Sequence, residues 1–338
     1  MTGGLASSAA AMIGSTREKA FEFMAKRSIC SYLTRKSAMQ SRKLRRYVTF
    51  VSGACAVIAI AGVSYGPKFL PARVGTAGWS VVWDENFSGP AGSGVNKDYW
   101  KYETGHSFGN NEVEEMTDSP SNVHLDGARD LDITALYQGS SWTSGRIQTI
   151  RSFGVPAGGE LKVIASIKQP DPADGLGYWP AFWLLGQGTW PEHGEIDIME
   201  DVNGLSEDAG AFHCGNLTSA NADGTFGPCH EHTGLSSGLQ PCAGCQSGYH
   251  IYSVIVDRRT PSDEQISWYL DGRQFFKVTE QQVGTQVWDE AVDSGFSIIF
   301  DLAMGGSYPD GRCGCTSPTA QTRPGGTMSV RYVEVYSS

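Results

Sequence analysis

The stretch Trp190-Pro191-Glu192-His193-Gly194-Glu195-Ile196-Asp197-Ile198-Met199-Glu200 alternates carboxyls with apolar side chains. Period two with one apolar side describes a strand buried on one face. Glu195 and Asp197 then face one way, and Ile196 and Ile198 the other. Glu200 breaks the parity, because it lies five positions after Glu195. One extra residue, a β-bulge near Met199, returns it to the carboxylate face. The same alternation runs through Leu131-Asp132-Ile133-Thr134-Ala135 and Ser329-Val330-Arg331-Tyr332-Val333-Glu334-Val335. Further strands are predicted at 79–83, 131–136, 145–150, 160–167, 181–185, 250–256, 266–270, 274–278, 296–302 and 328–336, with Asp271-Gly272 as a hairpin turn. Little between them reads as helix. Many short strands separated by Gly, Pro, Asn, Asp and Ser make an all-β body, and the expected architecture is one large β-sandwich.

Three acids on one strand face is a chemical statement. Like charges this close cannot all ionise freely, so their pKa values separate. One carboxyl stays ionised as a nucleophile while another keeps its proton near neutral pH. Retaining glycoside hydrolysis needs that division of labour. The expected roles are Glu195 as nucleophile, Glu200 as general acid and later base, and Asp197 between them as hydrogen-bond partner of the nucleophile. The competing reading of the motif alone is a solvent-facing acidic strand or a calcium site. Aromatic residues weigh against it: Tyr178-Trp179-Pro180-Ala181-Phe182-Trp183-Leu184-Leu185 and Trp190 flank the acids. Aromatic faces stack on the apolar C–H surfaces of sugars. Of Phe182 and Trp183 one must face the core and the other the outside. Trp183 and Trp190 are assigned to the groove, with Trp179 beside them.

The chain has 338 residues and a formal charge of −10. Residues 1–77 carry 12 Lys and Arg against 2 Asp and Glu, a net of +10; the remainder carries 14 against 34, a net of −20. An acidic body argues against a nucleic-acid binder, which relies on clustered Lys and Arg. Residues 1–46 form a basic segment ending in Arg42-Lys43-Leu44-Arg45-Arg46, and residues 47–66 hold the uncharged run Val48–Val63. A basic patch before an apolar run is a secretory signal or a signal anchor. Gly75-Thr76-Ala77 closes the linker at 67–77 with small residues suited to cleavage. Both readings place the body, 78–338, outside the cytoplasm: secreted, or anchored with the membrane touched only by the N-terminal segment. Cys214, Cys229, Cys242, Cys245, Cys313 and Cys315 then read as disulfides in one of fifteen pairings. The alternative is a metal cluster of these cysteines with His213, His230 and His232, but zinc sites have tighter paired spacing.

Taken together, the body resembles glycoside hydrolase family 16, and within it the laminarinase-like endo-1,3(4)-β-glucanases. The resemblance rests on Asn110-Asn111-Glu112, Ser144-Gly145-Arg146, the Trp179–Leu185 run, Glu195-Ile-Asp-Ile-Met-Glu200, Phe296–Gly306 and Val330–Tyr336, which together span residues 80–336 in family order. It implies a concanavalin-like jelly-roll sandwich and no cofactor. It also implies that Asn111, Glu112 and Arg146 bind sugar hydroxyls in the minus subsites and that His213 sits near the acid/base residue. Without the family, Asn111 reads as a turn residue, Glu112 as a surface acid, Arg146 as an ion-pair partner and His213 as a satisfied polar group. Two positions depart from the family pattern. Asp301 stands where Asn is common, and Arg331 stands where many relatives carry an Asp that helps bind a structural calcium. A cation there disfavours Ca²⁺, so no metal is expected. The expected activity is retaining endo-hydrolysis of β-1,3- or mixed β-1,3/1,4-glucan by a monomer. A transglycosylase on the same machinery and a non-catalytic glucan-binding module are the competing functions. A body of this charge would repel sulfated glycans.

Overall fold

The computed structural model describes residues 78–338; the basic segment, the signal or anchor run and the cleavage region expected at 1–77 lie outside the described residues. Two eight-stranded sheets face each other. The front sheet runs Leu235–Ser236, Glu207–His213, Glu195–Glu200, Tyr178–Gly186, Phe296–Met304, Arg146–Thr149, Trp100–Tyr102, with Gln240–Pro241 paired to the end of Glu207–His213. The back sheet runs Arg273–Thr279, Gln265–Leu270, His250–Asp257, Glu160–Lys168, Thr327–Ser337, Leu131–Thr134, Val123–Leu125, with Ser80–Glu85 also paired to Thr327–Ser337. Every ladder in both sheets is antiparallel, so each strand offers alternate residues to the interior. A small third sheet joins Glu114–Met116, Ser141–Ser144 and Leu136–Gln138. Among the described residues, three short helices occupy Glu280–Val283, Thr285–Val292 and Ser307–Cys313. Among the described residues, no helix is long and apolar enough to cross a membrane.

The core lies between the sheets. Ile196, Ile198, Met199, Phe182, Leu184 and Phe300 enter it from the front, and Val163, Ala165, Val254, Val256, Ile266 and Trp268 from the back. Phe182 stacks on Phe300 with ring centroids 4.8 Å apart. Each such large apolar side chain contributes about 1.5–3 kcal/mol by leaving water. The all-β sandwich and every predicted strand are present, with ends shifted by a residue or a few. The predicted strand 131–136 is broken at Ala135, whose backbone instead pairs with Gly325 and Gly326 as the chain passes to the third sheet.

The strand Glu207–His213 was absent from the sequence reading. Its Glu-Asp-Ala-Gly-Ala opening lacks the β-branched residues that signal a strand. The structure explains Gly210 within it: a Cβ there would lie 2.5 Å from the Trp268 ring, so the back sheet's indole occupies the space.

The six cysteines pair as Cys214–Cys229, Cys242–Cys245 and Cys313–Cys315. Arg331 is held on the back sheet, with its guanidinium 3.7 Å from the centroid of the Tyr249 ring and Nε 3.4 Å from Asp130.

Candidate active site

The outer face of the front sheet is assembled from cross-strand neighbours. Glu195 pairs with Leu185 on one side and His213 on the other; Asp197 pairs with Trp183 and Ala211; Glu200 pairs with Ala181 and Ala209. Between Asp197 and Glu200 the strand advances three residues while its neighbour advances two, and the ladder to Tyr178–Gly186 slips at the same place. That is the expected bulge. Its extra residue sends Ile198 and Met199 both into the core, at 1% and 0% exposure, and leaves Glu200 half-buried on the face of the other two acids. The bulge is braced from behind. Trp268, fully buried, donates its indole N–H to the Asp197 carbonyl oxygen at 2.6 Å. A Trp268→Phe substitution leaves that carbonyl without its partner and opens space behind the bulge. The expected cost is about 2–4 kcal/mol, read as a lower urea midpoint.

Trp183 faces outward while Phe182 enters the core. The Trp183 indole donates to Asp301 Oδ1 at 2.7 Å, and the Arg146 guanidinium lies between the Trp183 and Phe108 rings, 4.8 and 4.6 Å from their centroids. Arg146 also forms an ion pair with Glu103, Nε to Oε2 2.7 Å, so the bland reading of this residue holds alongside its place beside the acids. Trp179 donates its indole N–H to Glu200 Oε1 at 2.8 Å and packs edge-on against Tyr308. Trp190 stacks on His232 and tilts against His213, each at 5.7 Å. Glu112 bridges to Gly305 and accepts from the Asn110 N–H; the neighbouring Asp301 carboxyl is raised mainly by burial, with a smaller push from the Glu112 charge. Asn111 is exposed and donates to Ser307 Oγ at 3.0 Å; among the described residues, no hydrogen bond ties it to the acids.

His213 sits among the acids. Its Nε2 lies 3.3 Å from Asp197 Oδ2 and 3.7 Å from Glu195 Oε1, so its ion pairs are with these two acids and not with Glu200. The register of the strand missed in sequence is the reason, since it pairs His213 directly with Glu195. Behind the ring, Nδ1 meets Glu231 Oε2 at 2.7 Å. Glu231, Glu103, Phe108 and Tyr308 are the neighbours that sequence reasoning missed. Each arrives from a loop or short helix remote in the chain, with no periodic pattern to mark it.

Burial pushes Glu195 up to about 8, reinforced by the charge of Asp197 and opposed by His213 and Arg146. Glu200 is raised well above its ordinary value by burial and Asp197, opposed chiefly by the neutral Trp179 indole. His213 opposes the rise at both carboxyls, and Arg146 adds its opposition at Glu195. Burial would lower His213, but its hydrogen bonds to Asp197 and Glu231 and the charges of Glu195 and Asp197 win and hold it well above the usual histidine value.

Among the described residues, two groups bring three ligand-type atoms within 4.8 Å of one another: Glu195, Asp197 and His213, and Cys242, Cys245 and His250. In the first, the His213 ring already spans both carboxyls; in the second, both sulfurs are joined in a disulfide.

A family model described as the XgeA-like catalytic GH16 domain matches residues 113–247. The structure aligns with an endo-1,3-beta-glucanase from Streptomyces sioyaensis at 41% identity and a TM-score of 0.72, covering 79% of this chain and 99% of that one. The chain belongs to glycoside hydrolase family 16. An endo-beta-1,3-glucanase from Pyrococcus furiosus aligns at 30% identity and a TM-score of 0.60, covering 77% and 94%. A glucan endo-1,3-beta-glucosidase A1 from Niallia circulans is 30% identical over 294 residues, which are 79% of this chain and 39% of that protein. The present chain thus spans well under half the length of that relative. The matched family segment contains the bulged strand, His213 and Glu231.

Proposed function

We propose that the protein is an endo-β-glucanase that cleaves β-1,3- or mixed β-1,3/1,4-glucan with retention of configuration. The observation that carries this is the bulge that gathers Glu195, Asp197 and Glu200 on one aromatic-lined face of a family 16 sandwich. Glu200, held by the Trp179 indole, donates its proton to the glycosidic oxygen as the Glu195 carboxylate attacks the anomeric carbon. The leaving sugar departs with that proton, and a glycosyl ester forms on Glu195. Glu200, now a carboxylate, takes a proton from water, whose oxygen displaces Glu195 and restores the starting charges. His213 and Arg146 offset the charge that returns to Glu195 in the second step. Asn111, Glu112, Arg146, Trp179, Trp183 and Trp190 are the proposed sugar-contacting residues. A non-catalytic binder would have no use for three carboxyls so costly to bury.

The Streptomyces sioyaensis and Pyrococcus furiosus neighbours, both endo-1,3-glucanases, support the substrate class. Three disulfides support an extracytoplasmic location and an N-terminal export signal or anchor. The expected working form is a monomer. The test is digestion of laminarin, lichenan and agarose, with the anomeric proton followed by NMR in the first minutes. Early release of β-anomer from laminarin and lichenan supports the proposal; early α-anomer, or cleavage of agarose alone, overturns it.

A further inference from the structure

We propose that Glu231 is a positioning residue for the hydrolytic reaction, aiming the His213 ring at Asp197 and Glu195 from behind. The inference rests on the reading of Glu195 as nucleophile. Glu231 has a fully buried side chain, and both its oxygens are committed. Oε2 meets His213 Nδ1 at 2.7 Å, and Oε1 accepts the Cys214 N–H at 2.9 Å. Its backbone exchanges hydrogen bonds with Phe226, at 2.8 and 3.1 Å, and the Cys214–Cys229 disulfide ties down the chain two residues before it. The ring has little freedom to turn away. A Cβ on Gly234, whose φ is +69°, would lie 2.9–3.1 Å from three atoms of the His213 ring, and Trp190 lies against another side. With Nδ1 fixed as a donor to Glu231, Nε2 can face only the two acids. A carboxylate behind a histidine fixes its proton and orientation in the same way when the ring serves a metal or a nucleophile.

The charged and titratable groups around the ring are few. Glu195 and Asp197 face it from the adjacent strand and Glu231 from the loop. Arg146 acts on Glu195 from a more distant strand on the same sheet face, Glu200 lies beyond Asp197, and His232 lies behind Trp190. The strand Leu235–Ser236, on the other side of Glu207–His213, brings no ionisable group. Among the described residues, Glu231 is thus the only acid in an ion pair with His213 that is not itself on the carboxylate face. Removing its charge should let the ring lose its proton earlier, and Glu195 should lose part of its cationic counterweight.

The experiment is Glu231→Gln in the full chain, compared with wild type. The expected results are a fall of about tenfold or more in kcat/KM at acid pH and an upward move of the acid limb of the kcat/KM profile by about one pH unit. The alkaline limb, set by Glu200, should move less. In ¹⁵N NMR, His213 should titrate at lower pH in the variant. A His213→Asn, Glu231→Gln double variant should be no slower than His213→Asn alone. An equal loss at every pH, with the His213 titration unmoved, reduces Glu231 to a structural group and overturns the proposal. If Glu231→Gln does not fold, the wild-type ring decides: both nitrogens protonated through neutral pH supports the proposal, and a neutral ring overturns it. The dependence on Glu195 separates cleanly. A shifted His213 titration together with failed azide rescue of Glu195→Ala would remove the nucleophile reading and leave the Glu231–His213 coupling standing.

Discussion

Glu195→Ala is expected to lower kcat on laminarin by about four orders of magnitude or more, and azide is expected to restore turnover of an activated aryl β-glucoside. The small anion enters the space left by the carboxylate and attacks the anomeric carbon from the same side. The product is then the α-glycosyl azide, inverted relative to substrate. Glu200→Gln should behave differently. It loses about 10²–10⁴-fold on polysaccharide, whose leaving sugar needs a proton, and much less on an aryl glycoside, whose leaving group does not. Both side chains project from the outer face of the front sheet, so both variants should keep the wild-type fold by circular dichroism. A folded Glu195→Ala protein that azide leaves inert would remove the nucleophile assignment.

Stability should fall as pH rises from about 4.5 to about 8, and Glu114 is one of the buried carboxyls responsible, with Glu195, Glu200 and Asp208 acting in the same direction. Glu114 is 1% exposed, and only one of its oxygens is bonded, Oε2 accepting the Met304 N–H at 2.8 Å. Burial pushes its carboxyl from 4.5 up to about 8, with smaller contributions from the charges of Glu112 and Asp301. Between those two values the folded chain keeps a proton that the unfolded chain has released. Unfolding then releases a proton, and its free energy drops by up to about 1.4 kcal/mol per pH unit, a few kcal/mol across the window. The contribution is fully present below the unfolded pKa and lost as pH rises through the folded one. Asp301, raised to about 6, and Asp201, raised to about 7, act in the same direction, mainly through burial. Glu114→Gln keeps the shape without the titration. Urea unfolding at several pH values should give a flatter stability curve for the variant than for wild type. Parallel curves would show that Glu114 ionises in the folded state as it does in the unfolded chain.

The legible parts of this protein are those governed by neighbours in the chain. Period-two alternation assigns Ile196 and Ile198 to the core and Glu195 and Asp197 to the outside, and the structure agrees. Parity alone demands the bulge before Glu200, because a strand side chain can change face only if a residue is added or lost. The choice between Phe182 and Trp183 could be posed from alternation and resolved by the acids next door. His213 shows the opposite case. Its residue type and motif marked it for the site, but its partners depend on which residue of Glu207–His213 sits opposite Glu195. That strand opens on residues without β-branching, and Gly210 within it leaves room for Trp268, so its sequence signal is weak.

Local pattern by itself therefore determined the sandwich, the face of each acid and the need for a kink before the last one, since strand geometry repeats every two residues whatever lies across the sheet. Tertiary structure alone decided what each acid touches: the indole of Trp179 on Glu200, the ring of His213 on Asp197, and Glu231 behind that ring. Those contacts join segments distant in sequence or set by strand register, and their strength comes from burial and from charges fixed a few ångströms apart. No stretch of neighbouring residues encodes either one.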